Sequence, residues 1–168
     1  LALIIFDSVL DLCLSFVYVM FSFRFIQESK MTTQAPRASG QCHCGAIRYS
    51  MSTAVQHHAL CHCTDCRRHA GAPMVGWGLV GADEIEISGA PKVYSSSEHG
   101  RRHFCGNCGT GLFYTNEQIF PGQIDVQTAT LDDPDLIPAQ AQIQTAERIG
   151  WMEKLGDLPT FERYPPFE

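Results

Sequence analysis

The sequence predicts an all-β domain of short strands, and three observations carry that expectation. Short segments alternate apolar with polar residues, and clusters of Gly, Pro and Ser separate them. No long stretch past Met31 shows helical periodicity. Seven of the eight cysteines gather in three tight clusters that can tie such strands together. At 168 residues the chain can bury one sizeable core, which favours one domain over two.

The elements follow in order. Residues 1–30 are rich in Leu, Phe, Val and Ile, with Asp7 and Asp11 near the start and Cys13 apart from the other cysteines. The longest uncharged run, residues 12–23, is shorter than the roughly 20 apolar residues of a bilayer span. Neither the positive start nor the small-residue cut of a signal peptide is present. Met31 and the polar residues after it read as the start of a soluble, cytoplasmic protein, with 1–30 outside the domain. The other reading of 1–30 is an amphipathic helix resting at a membrane interface. Residues 31–40, with Pro36, Ser39 and Gly40, read as a flexible leader. The domain is then expected over 41–168.

Ile47, Tyr49 and Met51 alternate with polar neighbours and predict a strand with one buried face; Val75, Trp77 and Leu79 predict another. Ile85 with Ile87, and Val93 with Tyr94, mark two short segments around the turn at 89–91. Residues 112–114, 124–126 and 141–145 complete the strand candidates, and the tail 151–168, ending in Pro165 and Pro166, is expected to be extended. The net charge of −6 argues against nucleic acid as a partner, since such surfaces are normally basic.

The cysteines carry the chemistry. Cys61, His62, Cys63, Thr64, Asp65 and Cys66 place three thiols in six residues. Disulfides explain this poorly, because cysteines one residue apart close a ring far from disulfide geometry. A single zinc ion fits better, with three sulfurs on one loop and the fourth tetrahedral corner left over. Cys42 and Cys44 form a second knuckle, and Cys105 and Cys108 a third, whose glycines let the backbone turn around a metal. The seven sulfurs divide into four plus three, hence two zincs per chain. Cys42, Cys44, Cys105 and Cys108 would form a closed structural site, and Cys61, Cys63 and Cys66 an open, catalytic one. His43, His62 and His103 flank these sets and are alternative nitrogen ligands.

Cys42-His-Cys44-Gly45, Cys61-His-Cys63-Thr-Asp-Cys66-Arg67, Phe104-Cys105-Gly-Asn-Cys108-Gly109-Thr110 and Leu131-Asp132-Asp133-Pro134 together resemble the glutathione-dependent formaldehyde-activating enzyme family, which includes the centromere protein V group. The resemblance runs from about Gly40 to the end. It implies a tent-like all-β fold with the same two zinc sets, and carbon–sulfur lyase chemistry on the adduct of glutathione with an aldehyde. Where relatives often carry a His before Trp151, this chain has Ala141, Gln142 and Ile143.

A site with three thiolates favours soft partners such as a thiol. Arg67, Arg68, Arg101 and Arg102 can pair substrate carboxylates or relieve thiolate charge. Asp65 and His69 are the nearest candidates for moving a proton. Trp77 reads as core. The rival class is a zinc-stabilised binding module without catalysis.

Overall fold

The computed structural model describes residues 36–166. The reading of residues 1–30 and of Cys13 lies outside them. Ten strands dominate: β1 Arg37–Gln41, β2 Arg48–Ser52, β3 His57–Cys61, β4 Val75–Gly81, β5 Ile85–Ser88, β6 Lys92–Ser95, β7 Gly100–Phe104, β8 Gly111–Asn116, β9 Gln123–Gln127 and β10 Ala141–Ile143. A helix, α1 (Thr64–Ala70), follows β3, and short 3₁₀ turns follow β9.

The strands form two sheets. The smaller runs β1-β2-β5 and is antiparallel throughout. The larger runs β10-β3-β4-β9-β8-β7-β6, and only β10 with β3 is parallel. The main core joins them. Tyr49 and Met51 from β2 meet Val80, Phe113, Ile124 and Val126 from the larger sheet, and Leu131 and Ile137 belong to the same cluster. Tyr49 stands edge-on to Phe113 with ring centroids 5.3 Å apart, a favoured aromatic geometry. Its hydroxyl meets Thr130 Oγ1 at 2.7 Å, so the one polar atom of this ring is not left unpaired in the interior.

Alternation predicted the apolar strands well. In β4 the side chains of Val75, Trp77 and Leu79 are all buried, as a central strand requires. Polar strands escaped it. β1 lies in the stretch read as leader, because its inward residues are only Ala38 and Gly40. β3 and β7 carry His57, His58, Arg101, Arg102 and His103, so neither shows apolar periodicity. A register shift at His103/Phe104 leaves Leu112 as an extra residue on β8, and Leu112 and Phe113 are both buried.

Two further expectations are corrected. The three-cysteine segment is not all loop: from Thr64 it is helix, capped by Cys63 Sγ accepting the Cys66 N–H at 3.3 Å and ended by Gly71. Seven residues are too few for helical periodicity to be visible. The tail is not extended throughout, since Gly150–Asp157 winds as 3₁₀ turns with a kink at Lys154. Proline rules out helix only nearer its own position, and the first proline of the tail is Pro159. Among the described residues no helix is long and apolar enough to cross a membrane.

Candidate metal centres and an adjoining cleft

The fold brings four cysteines together at one end of the main core. Cys42 follows β1 directly, and Cys105 and Cys108 lie in the β7–β8 turn. Gly45 and Gly109 adopt φ of 73° and 80°, a left-handed conformation that side-chain-bearing residues resist, and each closes a turn around its cysteine pair. The sulfurs of Cys42, Cys44, Cys105 and Cys108 all lie within 4.8 Å of one another. Cys42 and Cys44 are 3.6 Å apart, and Cys44 and Cys105 are 3.8 Å apart. A tetrahedral zinc with bonds of about 2.3 Å needs sulfurs about 3.8 Å apart, so the set fits the ion.

Donors surround these sulfurs. The Ile47 N–H points at Cys42 Sγ at 3.2 Å, Asn107 Nδ2 at Cys44 Sγ at 3.2 Å, and the Thr110 hydroxyl at Cys108 Sγ at 3.2 Å. The Thr110 oxygen accepts the His43 N–H at 3.2 Å, leaving its own proton for the sulfur. The contacts to Cys108 pull its thiol down to about 5, and hydrogen bonds from Ile47 and the neighbouring cysteines lower Cys42 against its burial, whereas Cys105 is pushed up to about 11.

The second cluster joins β3 to α1. Cys61 ends the strand, Cys63 caps the helix and Cys66 sits in its first turn, and their sulfurs also lie within 4.8 Å of one another. Burial, with the neighbouring Cys66 and Cys63, pushes the Cys61 thiol up to about 12, and burial raises Cys66 as well. A cation among the sulfurs would offset that cost for Cys61 and Cys66, which is what a zinc would supply. No disulfide competes, since all seven described cysteines are free. None of the histidines named as alternative ligands joins either cluster among the described residues. His62 Nε2 meets Gln142 Oε1 at 2.9 Å, and His103 Nε2 meets Thr115 Oγ1 at 3.3 Å.

The arginines separate into two kinds. Arg67 holds the His62 carbonyl at 3.0 Å and Thr64 Oγ1 at 3.2 Å, which braces the turn that carries Cys61, Cys63 and Cys66. Arg101 donates to the carbonyls of Ser97, Glu98 and Gly100 and fixes the β6–β7 turn. Arg102 is buried, directs Nη1 and Nη2 at Cys66 Sγ from 3.9 and 3.8 Å, and lies 5.1 Å from the centre of the Tyr114 ring. Arg68 borders a cleft of about 300 Å³ lined also by Asp65, His69, Tyr94, Ser96 and Arg102. Burial and the Arg102 charge lower the His69 pKa, so its imidazole is neutral at pH 7. Trp77 is buried beside Cys61 and Cys66, in the core role expected of it.

Sequence reasoning named Arg102 but missed the row it belongs to across the larger sheet. Tyr94, Arg102, Tyr114 and Asp125 are successive cross-strand partners on β6, β7, β8 and β9, and so share one face. The strand pairing that aligns them has no local signature.

Residues 37–147 match the sequence profile described as "Glutathione-dependent formaldehyde-activating enzyme". The chain belongs to the glutathione-dependent formaldehyde-activating enzyme family. Both cysteine clusters lie within the matched span. An uncharacterized lyase of Schizosaccharomyces pombe is 29% identical over 114 residues, 60% of this chain and 83% of that protein. A Halomonas elongata protein named "Putative glutathione-dependent formaldehyde-activating enzyme" is 28% identical over 127 residues, 68% of this chain and 78% of its own length. The fold is similar to that of a Rhodobacter sphaeroides protein solved by crystallography, with a TM-score of 0.51 and 22% identity over 62% of this chain and 98% of that one.

Proposed function

We propose that this member of the family is a zinc-dependent carbon–sulfur lyase that makes or breaks the adduct of a thiol with an aldehyde, with glutathione and formaldehyde as the pair. The observation that carries this reading is a cluster of three thiols, with no fourth Cys, His, Asp or Glu grouped with them among the described residues, linked through Arg102 to a cleft that His69 also lines. Family membership and the names of the two relatives support the same chemistry.

Cys61, Cys63 and Cys66 would hold the catalytic zinc, and Cys42, Cys44, Cys105 and Cys108 the structural one. A zinc held by three thiolates supplies a site for a fourth soft ligand and lowers the pKa of a thiol bound there. In the forward direction a carbon–sulfur bond forms between the thiol sulfur and the aldehyde carbon. The carbonyl π pair moves to oxygen, which gains a proton, while the thiol loses one. In the reverse direction the hydroxyl proton leaves and the carbon–sulfur pair returns to sulfur.

The chain's own residues shape that step. Arg102 holds positive charge against Cys66 and steadies the anionic cluster. The neutral His69 imidazole borders the cleft and is the group suited to carry the proton between sulfur and oxygen. Seven cysteines grouped as metal ligands rather than disulfides suit a reducing compartment, and we place the protein in the cytoplasm.

The test is the rate of adduct formation from glutathione and formaldehyde with the zinc-loaded protein. The expected result is a rate above the buffer reaction that disappears in Cys63→Ser. A rate equal to buffer would remove this substrate pair.

A further inference from the structure

Two buried side-chain nitrogens share one space and lack hydrogen-bond partners. They are Nε2 of His69, on α1, and Nε2 of Gln127, on β9. Both approach Gly111 of β8 from the same direction: a Cβ there would stand 2.5 Å from the Gln127 nitrogen and 3.1 Å from the His69 nitrogen. Neighbours hold both side chains. His69 stands edge-on to Phe104, with ring centroids 6.5 Å apart, and Phe104 is the cross-strand partner of Gly111. Gln127 is only 8% exposed, and its cross-strand partner Trp77 lies beside Cys61 and Cys66.

A buried N–H without an acceptor costs more than a made hydrogen bond gains, so this space calls for an acceptor. The Gln127 amide carries one. Its two ends have nearly the same shape, and a half-turn about the last side-chain bond puts Oε1 where Nε2 stands. Only the Nε2 end of the amide is buried without a partner, so the half-turn strands no new polar atom. The same holds for the imidazole: Nε2 is its buried, unpaired nitrogen, while the ring borders the cleft. We propose that Gln127 is a positioning residue for His69, with Oε1 accepting the His69 Nε2–H, so that the imidazole proton stays on the buried nitrogen and the Nδ1 lone pair faces the cleft.

A proton carrier needs that tautomer. Nδ1 takes the thiol proton and the ring becomes an imidazolium, its Nε2–H still held by the amide oxygen. Nδ1 then gives the proton to the aldehyde oxygen as the carbon–sulfur bond forms. The other tautomer presents an N–H to the cleft and has no lone pair there to receive a proton. Gln127 acts only through His69 and touches neither substrate. The inference rests on the proposed function for what the proton does, and on the packing around Gly111 for where it sits.

Long-range proton–nitrogen correlation spectra of the zinc-loaded full chain show which ring nitrogen of His69 carries the proton, with His69→Gln identifying the signal. In the wild type the proton is expected on Nε2. Gln127→Met removes the acceptor, so the proton should move to Nδ1 and kcat for adduct formation should fall about tenfold at unchanged KM, the scale of one hydrogen bond. Gln127→Glu keeps an acceptor at the same reach and should restore the proton on Nε2 and most of the rate. A wild-type proton on Nδ1 would overturn the pairing, and so would a proton that stays on Nε2 in Gln127→Met. The lyase reading fails separately. If adduct formation stays at the buffer rate while the His69 proton still follows the side chain at position 127, the pairing stands and the reaction assignment falls.

Discussion

Arg102 and Cys66 meet across the junction of β7 and α1, with the guanidinium Nη atoms 3.9 and 3.8 Å from the sulfur and the Tyr114 ring beneath the cation. The contact joins the turn that carries the three cysteines to the sheet face that lines the cleft. It also places a permanent positive charge on a cluster that three thiolates would make anionic.

Replacing Arg102 should therefore loosen the metal rather than the fold. Arg102→Met is expected to speed loss of the Cys61, Cys63 and Cys66 zinc to a chromogenic chelator by about tenfold or more, as loss of an outer hydrogen-bond partner typically does. Arg102→Lys should recover part of the effect, because charge survives and the fork does not. Release kinetics that match wild type in both variants would remove this role.

The two cysteine sets should differ in what they support. Cys108→Ser is expected to lower the melting temperature sharply and reduce zinc to one or fewer per chain, since the four-sulfur set ties the end of β1 to the β7–β8 turn. Cys63→Ser should keep the fold and lose activity. Thermal melts with metal analysis on both variants check the partition.

His58 is buried between two partners, with Nδ1 2.7 Å from the Ile137 carbonyl and Nε2 2.8 Å from Thr128 Oγ1. Only a proton on Nδ1 suits the carbonyl, so Nε2 accepts from the Thr128 hydroxyl. His58→Ala strands both groups in the interior and should cost about 3 kcal/mol, measured by urea unfolding at fixed zinc.

Asp125 makes stability depend on pH in a recognisable sense. Burial raises its carboxyl to about 7, and Oδ1 has no hydrogen bond, with His57 Nε2 only at 3.9 Å. A carboxyl raised above its unfolded value, about 3.9, keeps its proton in the folded state while the unfolded chain releases it. The folded state then loses ground as pH climbs from about 4 to 7, by at most roughly 1.4 kcal/mol for each pH unit climbed. Asp125→Asn should remove that loss and be the more stable protein at pH 8, by up to about 4 kcal/mol. Comparing the two proteins across pH cancels the titration of the shared thiols.

Much of this arrangement was legible in the sequence because local spacing dictated it. The C-x-C and C-x-x-C clusters, and the alternation of Val75, Trp77 and Leu79, are patterns within a few residues. Arg67 and Arg68, in contrast, look alike in sequence, yet one braces the His62 carbonyl and the other faces the cleft. Arg101 and Arg102 separate the same way, because adjacent residues on a strand face opposite sides of the sheet. The Tyr94, Arg102, Tyr114 and Asp125 row exists only once β6 to β9 are paired, and pairing over such separations leaves no trace in composition.

Zinc K-edge X-ray absorption on the fully loaded protein, with and without glutathione, addresses the open coordination position most directly. The seven clustered cysteines should account for all protein sulfur bound to two zincs, and glutathione should add one sulfur at the three-cysteine site. A permanent fourth protein ligand at Cys61, Cys63 and Cys66, unchanged by glutathione, would contradict the account.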